Sequence, residues 1–226
     1  MIYGKVFKKF SGEKIIQENE LIISPSAEKN MLHIVNLVSK TLIESGKSLE
    51  IASGSGQHIV QLASSLPNYI WQPTDVDQKR IISIDHRTKD NIHRNIKPAR
   101  YLDATQVGWS LNYPNQNFIL LINLLHLISW EKTKTLINET FQSLALDGIL
   151  IIYGPFMRDG KLTSKGDIKF HKNILENDST LGYKDDIEIK NYLLKMGLTH
   201  LNTVKMQLII WLLYFKSYQT IYPKVN

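Results

Sequence analysis

The sequence of 226 residues predicts an α/β fold: a mostly parallel sheet with helices on both faces and an antiparallel C-terminal hairpin. Two observations predict this class. Apolar runs of strand length alternate with helical patterns between residues 48 and 153, which is typical of βαβ units. Near the end of the chain the alternation stops, and two strand-like runs follow one another, THLNTVKM and LIIWLLYFK. Their succession predicts the hairpin.

Local signals predict the individual elements in order. A leading helix is expected over residues 26–45, because Ser24 can cap it and Pro25 suits its first turn. The alternating part predicts strands at 48–52, 69–74, 99–104, 118–125 and 148–154, separated by helices at 57–66, 77–90 and 130–145. Asp147-Gly148 predicts a turn before the last of these strands. Gly197 ends a helix over 185–196 in the position of a left-handed cap.

The predicted organisation is one domain over 1–226. It consists of a cap and helix (1–45), a cofactor-binding half (48–154), a polar insertion or lid (155–185) and a C-terminal half on the substrate side (186–226). With 43% hydrophobic residues, a chain of this length can bury one sizeable core without a second domain.

Composition excludes several functions. The chain has no cysteine, which rules out disulfides, zinc–thiolate sites and thiol catalysis and fits a reducing, cytoplasmic compartment. We see no leader pattern, and the longest apolar runs, 118–128 and 208–215, are shorter than the roughly 20 residues of a membrane span. The histidines show no paired spacing with carboxylates, so no metal is expected. The net charge is +6, but the lysines are scattered, which disfavours a nucleic acid partner.

The stretch SLEIASGSGQHIVQLA (48–63) places two glycines between a strand and a helix. Gly54 and Gly56 allow the backbone to approach a ligand closely. A phosphate-binding loop would need a lysine at a fixed spacing after the glycines, and none is present. A dinucleotide site would need a small residue at position 59, where Ile59 stands. The turn therefore favours a ligand without a pyrophosphate.

Three acids follow three successive predicted strands. Glu50 lies near the end of the first strand, where a charged side chain is costly unless it has partners. Asp75 ends the second strand at the spacing at which a carboxylate takes both ribose hydroxyls. Asp103, before Ala104, ends the third strand. Their common edge of the sheet predicts one ligand site.

These residues resemble motif I of the class I S-adenosylmethionine-dependent methyltransferases, which have a Rossmann-like fold with a seven-stranded sheet. In that family the first acid lies near the cationic amino acid portion of the cofactor, and the third faces the adenine amino group. Ala52 replaces the usual first glycine. The resemblance implies S-adenosylmethionine as cofactor, bound by Glu50, Ala52, Gly54, Gly56, His58, Asp75, Asp103, Ala104 and Asn123.

Longer words resemble one family, called domain of unknown function 938, of which methyltransferase-like protein 26 is a member. They are SPSAEKN (24–30), LEIASGSGQH (49–58), WQPTDVD (71–77), NLLHLISW (123–130) and IYGPFMRDGKLTS (152–164). The chain departs from the family at Lys29 and Lys184, where arginine is usual, and at QLII (207–210), where a proline-containing word is usual. These departures would change or abolish activity if they line the acceptor site.

The catalytic candidates are Asn123, His126 and Tyr153. NLLH at the fourth strand lacks both prolines of the amine methyltransferase word, so that substrate class is not favoured. His126 could act as a general base, since its ordinary pKa is near neutrality, or it could bond a loop carbonyl. Tyr153 and Trp130 could wall an acceptor site or simply pack.

Four residues are candidates for acceptor binding: Glu28, Asn30, Trp130 and Arg158. Together with Lys184, the insertion suits a small polar or anionic molecule. We therefore expect a methyltransferase with a small-molecule acceptor, of unspecified acceptor atom and oligomeric state. The rivals are a cofactor-binding module without catalysis, a nicotinamide-dependent oxidoreductase, which Ile59 and the antiparallel ending disfavour, and an RNA methyltransferase, which only the net charge suggests.

Overall fold

The structure is a computed structural model that describes residues 13–16, 21–41, 44–205 and 210–217. The chain divides into two compact units. One contains Met1–Ala104 and Leu120–Ile122, and the other contains Thr105–Ile119 and Asn123–Asn226. The predicted organisation into a cap, two halves and an insertion stays a prediction.

The first unit begins with two short antiparallel strands, β1 (Lys14–Ile16) and β2 (Leu21–Ile23). Its further elements are α1 (Pro25–Thr41), β3 (Gly46–Ile51), α2 (Gln57–Ser65), β4 (Tyr69–Asp75), α3 (Gln78–Thr88) and β5 (Arg100–Tyr101). Strand β4 pairs in parallel with both β3 and β5. Helix α1 starts as predicted, because the Ala27 N–H donates to Ser24 Oγ over 3.4 Å.

Apolar periodicity explains why these elements fold as they do. Helix α1 buries Ile34 and Val38, and α2 buries Ile59 and Leu62, pairs spaced by three or four residues on one helix face. Strands β3 and β4 are buried along most of their length, as strands covered on both faces are. The largest fully buried side chain among the described residues is Trp71 of β4.

The second unit contains two short 3-10 turns, Trp109–Asn112 and Leu125–Leu127, and three helices, α4 (Trp130–Ser143), α5 (Lys165–Asn177) and α6 (Asp186–Lys195). Its strands are β7 (Leu144–Met157), β8 (Lys184–Asp185), β9 (Leu198–Lys205) and β10 (Ile210–Ser217). Strand β6 (Gln116–Ile122) has residues in both units. Strand β10 pairs antiparallel with β7 and β9, and β8 pairs in parallel with β7.

The strand order is β5-β4-β3-β6-β7-β10-β9, with β8 attached to β7. This order confirms the predicted α/β class, the mostly parallel sheet and the antiparallel C-terminal hairpin. The predicted count of seven strands is wrong. In this sheet, as far as the structure describes the chain, six strands are longer than two residues, and β5 and β8 have two residues each. Within the described ranges, no helix combines the length and apolar character needed to cross a bilayer.

The turn predicted at Asp147-Gly148 is absent for a physical reason. Strand β7 runs through Asp147-Gly148 instead of turning there; Gly148 is needed because a Cβ would lie 2.8 Å from the Gln116 carbonyl oxygen. The predicted polar insertion 155–185 contains the 13-residue helix α5, which Ser164 caps by accepting the Asp167 N–H. The left-handed cap at Gly197 is confirmed, with a φ of +94°.

A buried asparagine ties α2 to β4 in the first unit. Asn95 is 7% exposed, and its Nδ2 donates to the carbonyl oxygens of Ala63 and Tyr69 at 3.0 Å each and of Leu66 at 3.4 Å. The backbone carbonyl of Asn95 accepts the Trp71 N–H at 2.8 Å. These bonds satisfy carbonyls that the end of α2 leaves without helical partners.

Replacing Asn95 by alanine is expected to lower the free energy of unfolding by about 2–3 kcal/mol, because buried carbonyls lose their donor. Chemical unfolding followed by circular dichroism measures the change. Asn36→Ala, at an exposed position of α1, is the control and should stay within about 0.5 kcal/mol. An N95A protein as stable as the control would contradict the role of this amide.

Candidate functional site

The glycine turn between β3 and α2 is open on one side and tightly packed on the other. Gly54 and Gly56 have φ angles of +59° and +75°, in the left-handed region that favours glycine. A Cβ on Gly54 would meet nothing within 4 Å, whereas a Cβ on Gly56 would lie 3.1 Å from Ile84 Cγ1 of α3. Gly54, although buried, therefore borders open space on its Cβ side, and Gly56 allows α3 to pack against the turn.

Ala52 adopts the same left-handed conformation, with a φ of +56°. The resemblance gives a glycine at this position, and the backbone retains the shape that a glycine would take. The methyl group makes this shape unfavourable by roughly 1–2 kcal/mol.

Asp75, the last residue of β4, lies beneath the turn. It is 1% exposed, and its Oδ2 accepts the Gly54 N–H at 2.9 Å while its Oδ1 accepts the Asp77 N–H at 2.9 Å. Burial raises the pKa of Asp75; the Arg80 guanidinium and backbone N–H groups, including that of Gly54, oppose the rise. The carboxyl group thus fixes the turn to the end of β4.

Glu50 is the buried acid of β3, with 1% exposure. Its Oε2 has no hydrogen-bond partner among the residues that the structure describes. Burial raises the pKa of Glu50 to about 8; a hydrogen bond from Ser53 opposes this rise and the Asp75 charge adds to it. A buried acid with an unsatisfied oxygen is a binding position for a cationic or hydrogen-bond-donating group.

His58 and Asn30, predicted to bind the cofactor and the acceptor respectively, bond to each other. His58 Nε2 lies 2.8 Å from Asn30 Oδ1, and both side chains are buried. An amide oxygen only accepts, so Nε2 carries the proton. Burial lowers the pKa of His58 to about 4, which keeps the ring neutral at pH 7. By contrast, Glu28 is exposed.

The third predicted acid is placed less regularly. Asp103 is half-buried two residues beyond β5, and Ala104 is buried. The predicted strand 99–104 is only Arg100–Tyr101, so Asp103 lies in the loop and not at a strand end.

In the second unit, Asn123 directly follows β6 and is bonded to β7. It has a φ of +54°, and its N–H donates to the Tyr153 carbonyl at 2.8 Å. Tyr153 is 3% exposed and lies inside β7, because the strand continues to Met157. The strand predicted over 148–154 therefore continues beyond the predicted range on both sides.

His126 lies in a buried aromatic cluster. Its ring centroid is 5.8 Å from that of Phe170 and 6.1 Å from that of Tyr183. Burial and the nearby Lys184 charge lower the pKa of His126 to about 3. A general base works best with a pKa near the operating pH, so a ring with this pKa removes protons poorly at pH 7.

Lys184 does not present its charge to a ligand. Its Nζ donates to the carbonyl oxygens of Ile128 at 2.7 Å and Gly182 at 2.8 Å, and burial lowers its pKa to about 8. It joins two chain segments, which corrects the expectation that it suits an anionic acceptor.

Arg158 is half-buried, with backbone bonds to Lys161, and Trp130 begins α4 with its ring against Tyr192 at 6.1 Å.

Sequence reasoning missed two arginines on α3. Arg80 is 2% exposed and pairs with Glu13, and Arg87 donates to the carbonyl oxygens of Ser55 and Ile22. The signal was present in the sequence, because Arg80 precedes Ile81 and Ile84 of an amphipathic helix and shares their buried face.

The fold of this chain is similar to that of several solved methyltransferase structures. An O-methyltransferase family protein from Burkholderia thailandensis is 15% identical to this chain, with a TM-score of 0.72. The similarity covers 85% of this chain and 57% of that protein. An O-methyltransferase family 2 protein from Planctomyces limnophilus, in complex with apigenin, is 15% identical to this chain, with a TM-score of 0.69. The similarity covers 85% of this chain and 60% of that protein. The S-adenosylmethionine-dependent methyltransferase SibL is 13% identical to this chain, with a TM-score of 0.68. The similarity covers 85% of this chain and 56% of SibL.

The chain therefore has a methyltransferase fold, although it spans less than two thirds of the length of these structures. It belongs to a family described as proteins of unknown function, DUF938, whose sequence model matches residues 22–216. The predicted family is thus confirmed. The likeness to methyltransferase-like protein 26 stays a prediction.

Replacing Ala52 by glycine is expected to raise the free energy of unfolding by about 0.5–1 kcal/mol, because relief of the left-handed strain exceeds the added freedom of the unfolded chain. Urea unfolding measures the gain. Ala27→Gly, inside α1, is the matched control and should destabilise by about 1 kcal/mol or more. A loss of stability in A52G would show that this turn does not carry the inferred strain.

Glu50→Gln is expected to make the protein relatively more stable at high pH. The folded pKa of about 8 exceeds the ordinary value of 4.5, so native Glu50 holds its proton more tightly than unfolded Glu50. Its contribution is present below pH 4.5 and is lost as the pH rises to 8, by up to about 1.4 kcal/mol per pH unit. The free energies of unfolding of wild type and E50Q are measured with denaturant at pH 5 and pH 8. Because both proteins contain His58, its titration cancels when one free energy is subtracted from the other. A difference that does not change with pH would contradict the raised pKa.

Proposed function

We propose that this protein is an S-adenosylmethionine-dependent methyltransferase that acts on a small-molecule acceptor. The observation that carries the proposal is the unsatisfied, buried Oε2 of Glu50 beside a glycine turn whose Gly54 position is open. The family match and the methyltransferase fold support the same activity at a coarser level.

The described residues of the first unit fit this cofactor. When bound, it supplies a methyl group on a positively charged sulfur, and it also carries an amino group, a ribose and an adenine. Glu50 would hold the cationic end, since its unsatisfied oxygen needs a donor. Asp75 would accept from the ribose hydroxyls and Asp103 from the adenine amino group. The backbone at Ala52 and Gly54, with His58 and Ala104, completes the proposed set in this unit.

Glu50 must ionise to hold a cation well. Because its pKa is about 8 in the cofactor-free protein, most Glu50 side chains carry a proton at pH 7. A cation beside the carboxyl group lowers this pKa, so the proton is released to solvent as the ligand binds. Proton release is therefore a signature of Glu50 in the binding step.

The acceptor is proposed to be small. One structural relative is solved with apigenin, which fits a small-molecule acceptor. Asn30, Trp130 and Arg158, with Glu28, are the proposed acceptor contacts, and Asn123 and Tyr153 the proposed catalytic contacts. The low pKa of His126 argues against a base at this residue and favours an acceptor that needs little help in losing a proton. We place the enzyme in the cytoplasm as part of this proposal.

A second candidate is a module that binds the cofactor without turnover. It is favoured by the same low pKa of His126 and by Lys184, which is bonded to two carbonyls where the resemblance gives an arginine. The departure QLII (207–210) lies largely outside the described residues. The two candidates differ in methyl transfer but agree on cofactor binding.

We expect the purified chain to bind S-adenosylmethionine and S-adenosylhomocysteine at micromolar concentrations by calorimetry, with net proton release at pH 7. Buffers of different ionisation enthalpy give the number of protons. Asp75→Asn should weaken binding at least tenfold, because one lost charge-assisted hydrogen bond contributes roughly 1.5–3 kcal/mol. E50Q should both weaken binding and abolish the proton release.

Asp90→Asn, an exposed carboxylate on the same unit, is the control and should bind as wild type does. Absence of binding in a folded wild-type sample would overturn the proposal. Binding followed by methyl transfer to a component of a metabolite extract would support the enzyme, whereas binding without transfer would support the second candidate.

A further inference from the structure

A buried arginine lies between the N-terminal segment and Asp75, the residue that holds the glycine turn. The Arg80 guanidinium donates to Glu13 Oε2 from Nη2 at 2.9 Å and from Nε at 3.3 Å. Its Nη1 lies 3.8 Å from Asp75 Oδ1. The side chains of Arg80, Glu13 and Asp75 are 3%, 8% and 1% exposed. One buried cation therefore stands between two buried carboxylates.

Arg80 lies next to the carboxyl group that fixes the glycine turn. Asp75 accepts the Gly54 N–H, so any movement or protonation of this carboxyl group acts directly on the glycine turn. The Arg80 charge on α3 opposes the rise in the pKa of Asp75, and the Asp75 charge in turn raises the pKa of Glu50 on β3. Glu13 acts on Asp75 through Arg80, because both carboxylates share one guanidinium.

A separate set of bonds shows that the same face of α3 organises this region. Arg87 donates to the Ile22 carbonyl from Nη2 at 2.8 Å and to the Ser55 carbonyl from Nε at 3.0 Å. Ser83 Oγ accepts the Ile22 N–H at 2.9 Å. Residues 80, 83 and 87 lie at i, i+3 and i+7, on one side of the helix. That side therefore holds β2 and the glycine turn at once.

We propose that Arg80 is a positioning residue of the cofactor site, which keeps the Asp75 carboxylate ionised and in place beneath Gly54 and shares its charge with Glu13. The ligand in this inference rests on the proposed function, but the electrostatic coupling does not need a ligand. Removing Arg80 takes a positive charge from Asp75. Neutralising Glu13 removes a competing negative charge, so the attraction between Arg80 and Asp75 becomes stronger.

The test is the titration of Asp75 in the full chain without ligand. Nuclear magnetic resonance would follow the Asp75 carboxyl carbon and the Gly54 amide against pH in wild type, Arg80→Gln, Arg80→Lys and Glu13→Gln. R80Q should raise the Asp75 midpoint by about one pH unit or more, since an adjacent cation lowers a carboxyl pKa by 1–3 units. E13Q should lower the midpoint, and R80K should stay close to wild type.

Opposite shifts distinguish this role from a purely structural one. Both E13Q and R80Q break the same ion pair, so a structural clamp would change the midpoint in the same direction in both. Shifts of equal sign, or no shift, would overturn the proposal. If R80Q does not fold, the sign of the E13Q shift decides alone. Glu44→Gln removes a charge at an exposed position and should leave the midpoint unchanged.

The affinity for S-adenosylhomocysteine adds a second readout. The pH at which its affinity falls should follow the Asp75 midpoint in each variant, which loss of a structural contact would not produce. If wild type binds no S-adenosylhomocysteine, the proposed function fails. The ligand-free Asp75 titration still decides the Arg80 coupling in that case.

Discussion

The site in the first unit depends on the hydrogen bond from the Gly54 N–H to the Asp75 carboxyl group. This bond joins a turn that has left-handed φ angles to the end of a buried strand. It places a carboxyl group, the open space beside Gly54 and the unsatisfied Glu50 oxygen in one compact unit. Arg80 and Arg87 then attach the N-terminal strands to the same turn, so the turn is held from two directions.

Burial, more than pairing, sets the charge states in this protein. Removal from water raises the pKa of Glu50 and lowers those of His58 and His126, so all three favour the neutral form near pH 7. A buried side chain costs less free energy in its neutral form than in its charged form. Such side chains also respond strongly to an incoming charge. A cation beside Glu50 can reverse its protonation, whereas the His126 ring, next to Lys184, is driven further from protonation.

The sequence predicted the sheet class, the order of helices and strands and the end of α6 at Gly197, because periodicity and turn chemistry are local. It was wrong where packing between distant segments decides. Gly148 is required by the Gln116 carbonyl and not by a turn, and Tyr153 lies inside a long strand because β10 pairs alongside it. Lys184, whose charge suggested a ligand, is instead bonded to carbonyls 56 and 2 residues away in sequence.

The sequence by itself determined the glycine turn, the acids that end or follow the strands, and the family. These depend on residue types at short spacings, which one stretch of chain contains. Only the tertiary structure decided which acid is unsatisfied, which is pinned to the turn, and that His58 bonds Asn30. It also revealed the Glu13–Arg80–Asp75 arrangement, in which Glu13 lies 67 residues before Arg80 in the sequence. Electrostatic and hydrogen-bonding partners are chosen by distance in space, which residue spacing along a chain does not encode.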